Sequence, residues 1–401
     1  LSNRQKKQLT KFKTHPVRDL TRANNGQLCF RYNGEIYTQT NGGSPKKVAI
    51  KIFAENRYND EEITSINRGA TDMAVSPNGK EVAFVVRGEV FVASLNGGTT
   101  KRITNTPEQE RSISFSPDGR SILYAGERNG SWNLYQTSLT RKEEKYFFSS
   151  TVLKETPVLE SKEETFDPKY SPDGKEVAFL EERTTLRVIN LASKKTRTIV
   201  PGNRNYSYSD GDQYYSWSPD GKWFLVDFLP PRQWIGEVGL VSSQGGKIHN
   251  LTQSGYSDGG GNWAMGGKMM VFFSDRNGMR SQASWGSQMD VYAMFFTKDA
   301  YDKFRLSKED YELQKELEKD KKKAAKKDKK KGDKAKKGKG GKKGLKPIKI
   351  ELEGIQDRKV RLTIHSSSLN DALVSKDGKK LYYLARFERG YNLWVTDLRT
   401  R

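Results

Sequence analysis

Three aspartates occupy the same position relative to a repeated turn motif, which makes them the first candidates for binding chemistry. Asp72, Asp167 and Asp371 each lie four residues before a serine that opens such a turn. If the copies are arranged around one axis, the three carboxylates lie on a ring that could hold a cationic group, such as the amino terminus of a peptide. We favour the structural alternative, in which an aspartate caps the start of a strand in every copy.

Aromatic residues are concentrated near another copy of this position. Tyr214 occupies it, Tyr215 follows, and Asn262 lies close to the corresponding position of the next copy. A peptide or a partner protein could pack against such side chains, although many of them must instead fill the core. The candidates for a substrate channel are therefore Asp72, Asp167, Asp371, Tyr214, Tyr215 and Asn262. Further aromatic residues of this region are Tyr206, Tyr208, Trp217, Trp234 and Trp263.

A Gly-x-Ser-x-Gly sequence around Ser257 suggests a hydrolase nucleophile at first sight. A nucleophile elbow requires a strand before the serine and a helix after it, within an α/β sheet. Here the motif is followed by more glycine, and a similar Tyr-Ser-Asp-Gly sequence around Ser209 occupies the equivalent place one copy earlier. A sequence that recurs in two copies indicates loop architecture. We therefore predict no catalytic residue in this chain.

Metal and cofactor sites are not predicted. The three histidines, His15, His249 and His365, are scattered and lack the spacing of metal ligands. The acidic pair Asp210 and Asp212 lacks the downstream oxygen ligands of a calcium loop. The single cysteine, Cys29, excludes an internal disulfide and any multi-cysteine metal site.

The net charge of +22 comes mostly from one segment of the 401-residue chain. Residues 319–346 contain 16 lysines and 3 aspartates, a net charge of +13. The segment has no aromatic residues that could stack on bases, so it is predicted to be a solvated insertion, and nucleic acid is not favoured as a partner. No apolar run approaches eighteen residues, so no membrane-spanning helix is expected.

The turn motif recurs along the chain at the spacing of a repeat protein. Serine is followed by proline or lysine, then Asp or Asn, then glycine, which suits a tight turn because proline presets φ and glycine accepts a positive φ. Apolar residues flank each copy, which is typical of a hairpin between two strands. The copies, including two degenerate ones, begin at residues 23, 76, 116, 171, 218, 264 and 375. Most intervals suit a four-stranded propeller blade.

Other parts of the repeat match as well. A second turn occurs around Asn129-Gly130 and around Asn277-Gly278, where Asn-Gly favours a type I′ hairpin. The last strand of several copies ends in Leu-Thr or Ile-Thr, as at Thr104 and Thr252. The sequence therefore predicts an all-β, seven-bladed β-propeller of four-stranded antiparallel blades over residues 1–401.

The two ends and the insertion complete this prediction. Residues 1–12 are expected to form the outer strand of the last blade and to close the ring. Residues 297–347 are expected to be a helical, Lys-rich insertion in blade six, with Ser307 as the N-cap. The fourth strand of that blade is expected to resume at residues 348–352.

The turn, the third strand and the Leu-Thr ending together resemble the TolB-like propeller repeat. The Gly-Ile-x-Asp-Arg-x-x-Arg sequence at residues 354–361 is similar to the seven-bladed propeller of tricorn-type serine peptidases. That resemblance implies a non-catalytic propeller that channels or gates peptides toward PDZ-like and peptidase domains outside this chain. It implies no cofactor.

Two alternatives remain open at this stage. One is a TolB-like propeller that binds a protein partner without any peptidase role, and the other is the propeller of a prolyl-oligopeptidase-like enzyme. The partners are then peptides or a protein, with no membrane, and homo-oligomerisation is left open. The resemblance favours the cytoplasm, while the sequence leaves the periplasm or cell envelope open.

Overall fold

Seven small antiparallel sheets follow one another along the chain of this computed structural model. The structure describes residues 6–52, 65–205, 213–280, 286–332 and 345–400. The chain divides into two compact units, Leu1–Asn67 and Arg68–Arg401. Consecutive antiparallel sheets of this size confirm the predicted class, an all-β fold of the seven-bladed propeller type.

The smaller unit contains one sheet, blade 1. Its strands are β1 (Arg18–Arg22), β2 (Leu28–Tyr32), β3 (Glu35–Gln39) and β4 (Lys46–Lys47). Residues 6–12 belong to no strand, and the Leu9 carbonyl accepts the Gln39 side-chain amide at 3.0 Å instead of a neighbouring backbone amide. The described part of the predicted outer strand 1–12 is therefore irregular here, and its pairing with the last blade stays a prediction.

The larger unit contains blades 2 to 7. Blade 2 has β5 (Ala70–Val75), β6 (Glu81–Val86), β7 (Glu89–Ser94) and β8 (Thr100–Arg102); blade 3 has β9 (Glu110–Phe115), β10 (Ser121–Arg128), β11 (Ser131–Leu139) and β12 (Leu153–Leu159). Blade 4 has β13 (Thr165–Tyr170), β14 (Glu176–Glu181), β15 (Thr185–Asn190) and β16 (Thr196–Val200); blade 5 has β17 (Tyr215–Trp217), β18 (Trp223–Phe228), β19 (Glu237–Ser242) and β20 (His249–Asn250). Blade 6 has β21 (Asp258–Ala264), β22 (Met269–Ser274), β23 (Asp290–Phe295) and β24 (Lys359–Arg361). Blade 7 has three strands within the described residues, β25 (Ser368–Val374), β26 (Lys380–Arg386) and β27 (Asn392–Asp397).

The repeated turn connects the first and second strands of each blade, as predicted. In blade 5 the Ser218 hydroxyl donates to Asp220 at 2.7 Å and accepts the amides of Lys222 at 3.1 Å and Trp223 at 2.9 Å. The glycine that follows, Gly221, has φ +70°, which a side chain would resist. One hydroxyl therefore satisfies two backbone donors and fixes the hairpin.

The core of the larger unit lies between successive blades. Side chains alternate along a strand, so a central strand supplies two faces. Leu123 of β10 packs toward blade 4 with Phe179, whereas its neighbour Tyr124 packs toward blade 2 with Val92. In blade 6, Met270 packs toward blade 5 and its neighbour Met269 packs toward blade 7. Blades 3 to 6 are thus each held by apolar burial on both sides.

The Leu-Thr ending of the outer strand has a structural explanation. The Thr104 hydroxyl accepts the amide of Val90 and donates to Glu89, both at 2.9 Å. Thr363 does the same in blade 6, where it accepts from Val291 at 3.2 Å and donates to Asp290 at 2.6 Å. The threonine therefore continues the ladder for one step beyond the outer strand.

The insertion begins as predicted, with one additional helix. Helix α1 (Lys298–Arg305) is capped by Thr297, whose hydroxyl accepts the Ala300 amide at 3.2 Å. Helix α2 (Lys308–Gly332) follows, and the Ser307 hydroxyl accepts the Asp310 amide at 3.1 Å, which confirms the predicted cap. Helix α1 lies within the range 297–347 predicted to be helical, but it was not expected as a separate helix because Phe304 is its only buried residue.

Two details of the prediction were wrong. The fourth strand of blade 6 is β24, not residues 348–352, because the Ile348 amide is taken by Asp220 of the blade 5 turn at 3.0 Å. Gly354, at φ +63°, then reverses the chain before β24. The hairpin expected at Asn277-Gly278 is also not tight, since β22 ends at Ser274 and β23 begins at Asp290. The Asn129-Gly130 turn, with φ +55° and +75°, is of the predicted type.

Substituting Ser218→Ala tests the turn mechanism. Because Ser218 is fully buried, the substitution leaves the Trp223 amide without its acceptor, while the Lys222 amide keeps Asp220 at 3.1 Å. We expect the free energy of unfolding to fall by about 1–3 kcal/mol. Ser375→Ala in blade 7 is the matched control. Ser375 makes the same bonds in a half-exposed turn, so water can replace its hydroxyl and the loss is smaller. Urea unfolding measures both, and equal losses would contradict this explanation.

Candidate functional site

Five of the six first strands described in the larger unit share an irregularity that the sequence did not reveal. The register of β5, β9, β13, β21 and β25 against the second strand shifts at the same point, which is a β-bulge. At this point Ser112, Asp167 and Gly260 have φ of +57°, +45° and +67°. Left-handed backbone in non-glycine residues is costly and often marks a functional position. The predicted ring of residues therefore coincides with the bulges.

Two of the predicted aspartates support their own bulge. Asp72 and Asp371 each accept the amide of the following residue at 2.7 Å. The second oxygen of Asp72 also accepts the amide of Ile113 at 2.7 Å, which connects blade 2 to blade 3. These two carboxylates therefore support the backbone at the start of the strand, which is the structural role that we favoured over the binding of a cationic group.

The third predicted aspartate belongs to a cluster with two aromatic rings. The carboxylate of Asp167 pairs with the Lys169 ammonium at 2.9 Å, and that ammonium lies 4.4 Å from the centre of the Tyr215 ring. The Tyr215 hydroxyl donates to the carbonyl oxygens of Asp167 and of Ala178, the latter at 2.9 Å. Tyr215 is buried, so it connects blades 4 and 5 and is not available to line a channel.

Tyr214 and Asn262 are brought together across the next blade boundary. The Tyr214 hydroxyl donates to the side-chain carbonyl oxygen of Asn262. Burial raises the pKa of Tyr214, and the negative charge of Asp227 raises it further. The phenol therefore stays protonated and acts as a hydrogen-bond donor.

Asp227 is a residue that sequence reasoning missed. Its carboxylate accepts the Gly260 amide at 2.9 and 3.1 Å from its two oxygens. Burial raises the pKa of Asp227 to about 7. A Cβ atom at Gly259 would lie 2.9 Å from Asp227 Oδ2, so a side chain there would displace the carboxylate from this position. The signal in the sequence was the run of three glycines at 259–261, shortly before the copy of the turn motif that begins at residue 264.

A cavity of about 750 Å³ opens where the first strands of blades 2, 3 and 4 begin. Its walls carry Asp72 and Asp167 together with Arg87 and Trp132. Arg111, another wall residue, stacks over the rings of Trp132 at 5.2 Å and Phe166 at 4.3 Å. Of the six predicted residues, this cavity therefore unites Asp72 and Asp167, while Asp371, Tyr214, Tyr215 and Asn262 lie outside its lining.

The Gly-x-Ser-x-Gly sequence is a loop that leads into a strand. The Ser257 amide donates to Asp275 at 3.0 Å, and β21 begins at the next residue, where an elbow would require a helix. Its counterpart around Ser209, with Tyr206, Tyr208, Asp210 and Asp212, lies outside the described residues.

Neither a metal site nor a membrane-spanning helix is found within the described ranges. No three His, Cys, Asp or Glu side chains there are placed to hold a metal ion. None of the helices described has both the length and the apolarity of a membrane-crossing helix.

Comparison with known proteins supports this fold. No family model matches the chain. The Tol-Pal system protein TolB of Francisella tularensis subsp. tularensis is 26% identical over 202 residues, which cover 46% of this chain and 43% of that protein. TolB of Bordetella pertussis is 38% identical over 52 residues, 13% of this chain and 12% of that protein. The matched regions therefore span less than half the length of these curated relatives.

Solved structures agree over nearly the whole chain. The crystal structure of the tricorn protease matches with a TM-score of 0.58 at 12% identity, covering 98% of this chain and 35% of that one. The chain has a TolB-like β-propeller fold. Oligogalacturonate lyase of Vibrio parahaemolyticus matches with a TM-score of 0.50 at 10% identity, covering 93% of this chain and 86% of that one. Because a TolB-like propeller can resemble proteins with such different names, the fold alone does not decide the function.

The pKa of Asp227 predicts how stability depends on pH. The carboxyl titrates at about 7 when folded but at its ordinary 3.8 when unfolded, so the folded state binds more protons between these values. The free energy of unfolding should therefore fall as the pH rises through this window. Asp227→Asn removes this contribution. Between pH 5 and pH 8 the free energy of unfolding of the variant should therefore fall by about 1–3 kcal/mol less than that of the parent protein.

Thermal unfolding across that pH range measures the difference. Asp377→Asn serves as the control, because the Ser375 hydroxyl lowers the pKa of Asp377 and its titration lies below pH 5. The control should show the pH dependence of the parent. If Asp227→Asn also follows the parent, the assignment of the raised pKa to Asp227 is wrong.

Proposed function

We propose that this chain is the non-catalytic propeller of a tricorn-like serine peptidase, which channels or gates peptides toward a catalytic domain outside the chain. The single observation that carries the proposal is the cavity at the start of the first strands. It presents carboxylates, guanidinium groups and an indole ring around about 750 Å³. A volume of this size with a few convergent polar groups is typical of a ligand site.

The composition of the cavity wall favours a peptide as the ligand. A peptide carries amide donors and acceptors along its length and charges at its ends, so it needs partners of both signs. Asp72 and Asp167 supply acceptors, whereas Arg87 and Arg111 supply donors. The match to the tricorn protease supports the same assignment at the level of the fold.

A TolB-like binding module without a peptidase role is the second candidate. It is favoured by the TolB relative that is 26% identical over 202 residues. In that case the chain would dock a folded protein partner. The coding sequence after Arg401 discriminates the two, since a PDZ-like segment followed by a peptidase domain supports the first.

Binding assays on the chain itself test the peptidase-propeller proposal. We expect unstructured peptides of six to twelve residues to bind in isothermal titration calorimetry, and mass spectrometry to find them intact after incubation. A folded protein whose amino-acid composition is similar to that of the peptides serves as the control and should not bind. Cleavage of the peptides, or binding of the folded protein alone, would contradict the proposal.

A further inference from the structure

Asp72 differs from the other carboxylates of the cavity in its partners. Asp167 is paired with Lys169 at 2.9 Å, and Glu110 is paired with Arg128 at 2.8 Å. Within the described ranges Asp72 has no ion pair, and its two oxygens accept one backbone amide each. A carboxylate oxygen has two lone pairs, so each oxygen of Asp72 can accept one more hydrogen bond.

The position of this carboxylate is fixed before any ligand binds. The two backbone amides, both at 2.7 Å, belong to its own strand and to the next blade, so the side chain cannot rotate without losing both. A preorganised acceptor loses little entropy when it binds a donor. Asp72 is also half-buried, which strengthens a charged hydrogen bond relative to one in water.

The rest of the wall limits what the bound cation can be. Arg87, on the turn between β6 and β7, is exposed and lines the same cavity. A ligand that offered only positive charge would be repelled by this guanidinium. A ligand with an ammonium group next to a carbonyl oxygen suits both the Asp72 carboxylate and the Arg87 guanidinium. The ammonium can bind Asp72 while the carbonyl accepts a hydrogen bond from Arg87.

We propose that the cavity binds the amino terminus of a peptide, with the α-ammonium group on Asp72 and the first carbonyl groups toward Arg87. This inference rests on the proposed function, because it names the end of the peptide that the propeller holds. The α-ammonium group is separated from the first carbonyl by one carbon atom, whereas a lysine side chain places its ammonium far from any carbonyl. Both supply the same alkylammonium chemistry, so the test must separate them.

Synthetic heptapeptides of one lysine-free sequence provide the test in isothermal titration calorimetry. The set comprises the free peptide, its N-acetylated form, its C-amidated form, and an N-acetylated form with one central lysine. Losing a charged hydrogen bond should weaken binding by about 10- to 100-fold. We therefore expect acetylation to raise Kd by that factor, amidation to leave it unchanged, and the internal lysine not to restore it.

Asp72→Asn and Asp371→Asn form a matched pair of variants. Both aspartates accept the next amide at 2.7 Å, but Asp72 lines the cavity and Asp371 does not. Asp72→Asn should bind free and acetylated peptide with similar Kd, whereas Asp371→Asn should keep the difference seen with the parent. The peptide series on the parent protein remains decisive if Asp72→Asn fails to fold.

Each contrary outcome has a separate meaning. Equal binding of free and acetylated peptide by the parent would overturn this inference and leave the proposed function standing. The assignment to the amino terminus would be overturned if the internal lysine restored the affinity of the acetylated peptide, or if amidation weakened binding and acetylation did not. Failure of every peptide to bind would remove the proposed function and this inference with it.

Discussion

The bulge that recurs in the first strands is the constraint on which the candidate site depends. An extra residue in the strand forces left-handed backbone at Ser112 and Asp167 and leaves amides that the regular ladder cannot pair. Aspartate at or beside the bulge accepts such an amide, as Asp72 and Asp371 do. The same geometry directs Asp72 toward both the next blade and the cavity. A structural role and a binding role are thus compatible in one side chain.

Packing between blades explains why this irregularity is tolerated. The second strands of blades 3 to 6 bury alternate side chains against both neighbouring blades, so apolar contacts hold these blades together. Hydroxyl groups secure the remaining backbone donors, Ser218 in the turn and Thr104 after the outer strand. These hydroxyl hydrogen bonds do not involve the bulged residues, so the first strands can carry the bulge without losing them.

The blades, the turns and the helix cap could be predicted because each depends on residues close together in sequence. A serine and an aspartate two positions apart fix the turn, as Ser218 and Asp220 show. Contacts between blades could not be predicted in this way. The acceptance of the Ile348 amide by Asp220 spans 128 residues and displaced the expected strand. Asp227 was missed for the same reason, since its partners lie on the neighbouring blade. The cavity combines residues of three blades and was predicted only as a position shared by aspartates.

The bulges place a preorganised carboxylate, Asp72, in a cavity between blades 2, 3 and 4, and none of the described residues forms an ion pair with it. A high-resolution crystal structure of the protein tests this most directly. We expect positive φ at Ser112 and Asp167, and an Asp72 carboxylate that accepts the Ile113 amide while one edge faces the cavity. Regular first strands, or an Asp72 side chain paired with a cation of the protein itself, would contradict it.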